Sequence, residues 1–103
     1  MDSHECYIKA GEITKRVKAE SREMLLPGTS YVDLARFIEG KIVEYGGEPA
    51  FPVNISVNNI TAHYTPTIDD EHVFSDGDYV KVDIGAQVDG YIADTAYTVK
   101  VGH

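Results

Sequence analysis

Two rhythms of apolar residues divide this chain. In the first half they recur at helical spacing: Ile13, Val17 and Met24, then Leu34, Ile38, Ile42 and Tyr45, the second set forming one stripe at i, i+4, i+8 and i+11. Asp2 with Glu5 three residues on reads as a capping box, so a first helix runs from there to about Leu26, where Pro27-Gly28 stops it. Ser30 or Thr29 caps a second helix, Asp33 suits its first turn, and Gly46-Gly47 closes it, because glycine accepts the left-handed conformation that ends helices.

Beyond Gly47 the period drops to two. Val53, Ile55 and Val57 alternate with Asn54, Ser56 and Asn58, which predicts a short half-buried strand. Residues 61–66 read as a loop or a second short strand, and 67–78 as a polar connection containing a turn. The two strongest strands span about 79–87 and 91–101. Two helices followed by strands predict an α+β domain, with the helices packed on one face of an antiparallel sheet.

At 103 residues the chain reads as a single domain, 1–103, whose 43% apolar content suits a folded core rather than disorder. The net charge of -8 argues against nucleic acid and anionic membranes as partners. No signal peptide or membrane-spanning run is visible. The lone Cys6 allows no internal disulfide and reads as a small helix residue, and with these features a cytoplasmic location is expected.

Chemistry concentrates in the last two strands. Val80, Val82, Ile84, Ala86 and Val88 share the core face, which leaves Tyr79, Lys81, Asp83, Gly85 and Gln87 on the other. Aspartate is depleted in strands, so Asp83 and Asp94 do not serve packing. A type I′ turn at Asp89-Gly90 sets Asp83 opposite Ala96 and Asp94 two residues along; a turn at Val88-Asp89 pairs the two aspartates directly. Either register puts both on one face, with Cβ atoms roughly 4.5 to 8 Å apart, whereas a three-residue loop would separate them unless a bulge restored the phase. A cation would relieve their repulsion, and hard oxygen donors suit manganese, iron, cobalt, magnesium or zinc. The competing reading is two acids on a solvated sheet. Among the histidines, His4, His72 and His103 read as surface residues. His63, in a loop bounded by Pro66, is placed to act as an acid, base or hydrogen-bond donor.

Four segments in order carry a resemblance: Gly46-Gly47-Glu48-Pro49-Ala50-Phe51-Pro52-Val53-Asn54, Ala62-His63-Tyr64-Thr65-Pro66, Gly77-Asp78-Tyr79-Val80-Lys81-Val82-Asp83-Ile84-Gly85, and Asp89-Gly90-Tyr91-Ile92-Ala93-Asp94-Thr95-Ala96. Together they resemble the type 2 methionine aminopeptidases in their archaeal form, over about residues 9–102. The resemblance implies the N-terminal half of the creatinase/aminopeptidase pita-bread fold, shared with prolidase and aminopeptidase P. It implies that Asp83 and Asp94 are metal ligands, that His63 is a catalytic and substrate-binding residue, and that Phe51 lines the pocket for the methionine side chain. Two divalent ions per complete site (Co, Mn, Fe or Zn) are implied, with N-terminal methionyl peptides as substrates and removal of the initiator methionine as the reaction.

The remaining ligands of that family, a histidine and two glutamates, belong to a second half that lies beyond this sequence. The 103 residues alone are therefore expected to bind metal weakly and to hydrolyse little. A second half-domain or a homodimer partner would cover the exposed face. The alternative is a catalytically inactive half-fold acting as a dimerising binding or assembly module.

Overall fold

The computed structural model describes residues 2–58 and 71–102. Helix α1 spans Ser3–Arg22 and helix α2 spans Tyr31–Glu44. Strands follow at Glu48–Pro49 (β1), Asn54–Val57 (β2), Tyr79–Val88 (β3) and Tyr91–Lys100 (β4). The α+β expectation holds: both helices contribute to the core over an antiparallel sheet. Among the described residues no helix is long and apolar enough to cross a membrane.

The helix ends follow their capping residues. The Asp2 carboxylate accepts the Glu5 amide at 2.8 Å and starts α1. The first helix stops at Arg22, four residues short of the expected Leu26. There the bonds tighten to three-residue spacing, Met24 N–H to the Ser21 carbonyl at 3.0 Å and Leu25 N–H to Arg22 at 3.3 Å. This tighter turn accompanies the burial of Leu25, which leaves the helical path and enters the core. Ser30 caps α2 by accepting the Asp33 amide at 3.0 Å. At its other end Gly46 takes φ +96°, and the amides of Gly46 and Gly47 bond the carbonyls of Val43 and Ile42, each at 3.0 Å. This is a Schellman closure, so the glycine pair acts as read from sequence.

The long strands form one hairpin whose turn is Asp89-Gly90, both in left-handed backbone at φ 51° and 84°. Positive φ at both turn positions marks type I′, whose twist matches the strands it joins. The register pairs Asp83 with Ala96 and Gly85 with Asp94. Of the loops left open by the sequence, the two-residue turn at Asp89-Gly90 is therefore realised.

Strand β4 takes the whole of one edge of β3, so β1 and β2 share the other, end to end. Between the pairs Pro49↔Ala86 and Asn54↔Asp83, four residues (50–53) lie against two (Ile84 and Gly85). This surplus is a large bulge. The sequence reading missed β1, because proline is admitted to strands only at edges, first positions or bulges.

Val80, Val82, Ile84 and Ala86 are fully buried on the sheet's inner face, in one core cluster with Val17 of α1 and Leu34, Ile38 and Ile42 of α2. The Tyr97 hydroxyl meets Ser21 Oγ at 2.7 Å and ties β4 to the end of α1. The connection before β3 is less polar in effect than its composition suggests. Its Phe74 is buried, and the Phe74 N–H and C=O bond Thr29 and Gly28 at 2.9 and 2.8 Å, so the segment docks on the loop between the helices. The expected loop or strand at 61–66 lies outside the described residues.

Candidate metal and substrate site

The sheet's outer face carries the candidate chemistry. Asp83 is half-buried there and Asp94 exposed, in strands whose alternate residues fill the core. The two stand diagonally, Asp83 opposite Ala96 and Asp94 opposite Gly85, a relation that spaces Cβ atoms by roughly 7 Å. The hairpin turn fixes this register, and a slip of one residue would send one aspartate into the core.

Across the other edge of β3, Asn54 pairs directly with Asp83. Phe51, carried by the bulge, lies over Gly85. A cavity of 410 Å³ opens on this face, lined by Phe51, Asn54, Asp83, Asp94, Thr95 and Ala96. The two aspartates and Phe51 expected at the site are thus brought together in one pocket. His63, the fourth expected residue, lies outside the described residues.

The pocket joins two unlike surfaces. Its lining offers carboxylate oxygens and the Asn54 amide together with an aromatic ring. Among the described residues the ion pairs lie elsewhere, Arg16 with Glu20 at 3.8 Å and Lys41 with Glu44 at 2.9 Å. No cationic side chain neutralises Asp83 or Asp94 there. The donor set therefore suits a hard divalent cation, which prefers carboxylate oxygen. It is also incomplete, since no group of three His, Cys, Asp or Glu side chains able to hold a metal ion occurs among the described residues.

Cys6 is not part of this site. Its thiol is buried in α1 and donates to Asp89 Oδ2 at 3.8 Å. Burial first, and then the Asp89 carboxylate, push the thiol above its ordinary pKa. A protonated, enclosed thiol is a poor nucleophile, in line with its reading as a packing residue.

The sequence reading did not single out Gly85 or Asn54 as site residues. An isolated glycine inside a strand pattern is itself a signal of close backbone approach. Asn54 carried no such signal, because its place opposite Asp83 depends on the register across the bulge.

The family model described as metallopeptidase family M24 matches residues 5–103. The chain is 58% identical over 102 residues to a methionine aminopeptidase of Thermococcus onnurineus (strain NA1), covering 99% of this chain and 35% of that protein. It is 50% identical over 103 residues to one of Methanocaldococcus jannaschii, covering 100% of this chain and 35% of that protein. The chain thus spans about a third of the length of the curated relatives it matches.

Solved structures agree in fold. The methionine aminopeptidase of Thermotoga maritima superposes with a TM-score of 0.86 at 29% identity, over 96% of this chain and 42% of that one. The prolidase of Pyrococcus furiosus gives 0.84 at 25% identity, over 98% and 30%. The pita-bread expectation therefore holds for this portion of the fold. With nearly every residue inside the family match, the chain belongs to metallopeptidase family M24, whose members use divalent metal ions.

Proposed function

We propose that this chain forms the N-terminal half of a methionine aminopeptidase catalytic domain, which removes the initiator methionine from nascent proteins in the cytoplasm. One observation carries the reading most: two aspartates, paired with no cationic side chain among the described residues, share a single pocket with an aromatic ring in a chain of the M24 family. The methionine aminopeptidases among its relatives support the substrate class.

Asp83 and Asp94 would hold divalent metal, two ions in the complete site, drawn from Co, Mn, Fe or Zn. When bound, such ions supply Lewis-acid activation of water and of the scissile carbonyl. The remaining work falls to the chain. The Phe51 ring offers an apolar wall to the first side chain of an N-terminal methionyl peptide. Its position over Gly85, opposite Asp94, would set that side chain beside the carboxylates. Asn54, across from Asp83, adds a polar lining group close to the aspartate. His63 would hydrogen-bond near the scissile amide and hold or move a proton there.

The test uses the full-length gene product with manganese or cobalt and a peptide beginning Met-Ala. Release of free methionine, abolished by a chelator and restored by added metal, is the expected result. A folded, metal-loaded protein that releases no methionine would overturn the reading.

A second reading, an inactive half-fold that dimerises, draws on Tyr79 and Ile92, which stand 58% and 53% exposed on the outer sheet face. Light scattering of the 103-residue segment at high concentration addresses it. A strictly monomeric segment would count against this second reading.

A further inference from the structure

Gly85 is the only outward position of β3 without a side chain, and the Phe51 ring fills the vacated space. A β-carbon at residue 85 would lie 2.2, 2.6 and 2.7 Å from Cε2, Cζ and Cδ2 of that ring. Carbon atoms normally rest at about 3.5 to 4.0 Å. Gly85 is also absent from the positive-φ glycines, so its backbone is one that any residue adopts. The glycine is needed for space rather than for a turn.

The neighbours show what that space does. Gly85 pairs with Asp94 and lies two residues from Asp83 on the same face. A ring seated on Gly85 therefore lies low on the sheet, beside the positions of both carboxylates, and lines the cavity with them. The bulge at 50–53 brings the ring there, while the Ala50 amide bonds the Gly85 carbonyl at 3.0 Å and ties the loop to the strand. Strand β3 is held at both edges, whereas the ring is the free end of a side chain. A methyl group at 85 would thus lift the ring off the sheet and into the cavity.

We infer that Gly85 is a specificity-determining residue, setting through Phe51 the depth of the pocket that receives an unbranched apolar first side chain. The inference rests on the aminopeptidase reading for its substrate class, and goes beyond it by assigning the pocket's depth to a residue with no side chain. It makes two demands. Loss of the glycine must penalise ligands with a long first side chain and spare those without one. Removal of the ring must abolish the effect of the added methyl.

The experiment measures binding of norleucine amide and glycine amide to the full-length, metal-loaded gene product by calorimetry. Gly85→Ala should weaken norleucine amide by about tenfold, the scale on which an apolar pocket discriminates by a small change in fit, and leave glycine amide unchanged. Phe51→Ala should also weaken norleucine amide selectively, and the double variant should bind it no more weakly than Phe51→Ala alone. Should Gly85→Ala fail to fold, recovery of folding in the double variant supports the same clash, and its failure to recover overturns the inference. Equal weakening of both probes, additive losses, unchanged binding by Gly85→Ala, or no binding of norleucine amide by the unsubstituted protein would each overturn it. The selective, non-additive pattern in a protein that releases no methionine would leave the inference standing while the aminopeptidase reading falls. Methionine release without that pattern would do the reverse.

Discussion

Asp83 and Asp94 are diagonal neighbours rather than direct partners: across the hairpin Asp83 faces Ala96, and Asp94 faces Gly85. The offset leaves a gap on β3 opposite Asp94, and the Phe51 ring occupies it. Oxygen donors on the hairpin and an apolar wall on the bulge between β1 and β2 are thereby brought together.

Asp83→Asn and Asp94→Asn should each weaken manganese binding by about tenfold or more, because an amide oxygen is a poorer partner for a hard cation than a carboxylate. Calorimetry on the full-length gene product reads the change. Thermal stability without metal should hold within about 0.5 kcal/mol, as expected for outward positions away from the core. A large loss of metal-free stability would instead make the pair structural.

The hairpin turn sets the register of both aspartates. Gly90 has φ 84°, so Gly90→Ala should cost about 1 kcal/mol or more in thermal unfolding, while Asp89→Gly should be tolerated at φ 51°. The latter also removes the carboxylate beside Cys6, one of the influences raising the thiol pKa. Thiol titration by absorbance should then show a lower Cys6 pKa in Asp89→Gly, with burial keeping it above the ordinary range.

Alkaline pH should destabilise the fold through one thiol and two phenol groups whose pKa values are raised. Burial, then Asp89, raises Cys6; burial raises Tyr97; the hydrogen bond to Glu20, then burial, raises Tyr45. In each case the folded state holds its proton more tightly than the unfolded chain. Their contribution is full below the unfolded pKa values, about 8.5 for cysteine and about 10 for tyrosine, and is lost as pH rises through the folded values. Melting temperature should therefore fall from about pH 8.5 upward. Tyr97→Phe should flatten the upper part of the fall and cost about 1 kcal/mol at neutral pH, since Ser21 Oγ still donates to the Lys18 carbonyl at 3.1 Å. An unchanged alkaline profile in Tyr97→Phe would rule out this role for the hydroxyl.

Ile84 lies on the buried face between Asp83 and Gly85 and is fully enclosed. Ile84→Ala should cost about 2 to 5 kcal/mol, the range for opening a cavity in a packed core. Chemical denaturation checks the value. A cost below 1 kcal/mol would mean that the helices collapse onto the sheet more readily than this core suggests.

Much of this protein was legible in the sequence because its signals are local. The stripe Leu34, Ile38, Ile42 needs only helical periodicity, and all three residues are fully buried. The Asp89-Gly90 turn needs only two residues that accept positive φ. The alternation in β3 then places Asp83 on the outer face, and four ordered motifs carried the family resemblance. What local signals missed was set by distant contacts. Helix α1 ends early where Leu25 turns into the core. Phe74 is an anchor inside a polar stretch because the loop at Gly28 and Thr29 receives it.

The sequence by itself determined the two helices, the hairpin and the presence of a carboxylate in each of its strands, since period and turn chemistry are properties of neighbouring residues. Only the tertiary structure decided the register that sets those carboxylates diagonally on one sheet face, and that a four-residue bulge lays Phe51 on Gly85. Both depend on pairing between segments some thirty residues apart or on the balance of turn geometry against core burial, and no local pattern encodes the closeness of a ring to a missing β-carbon.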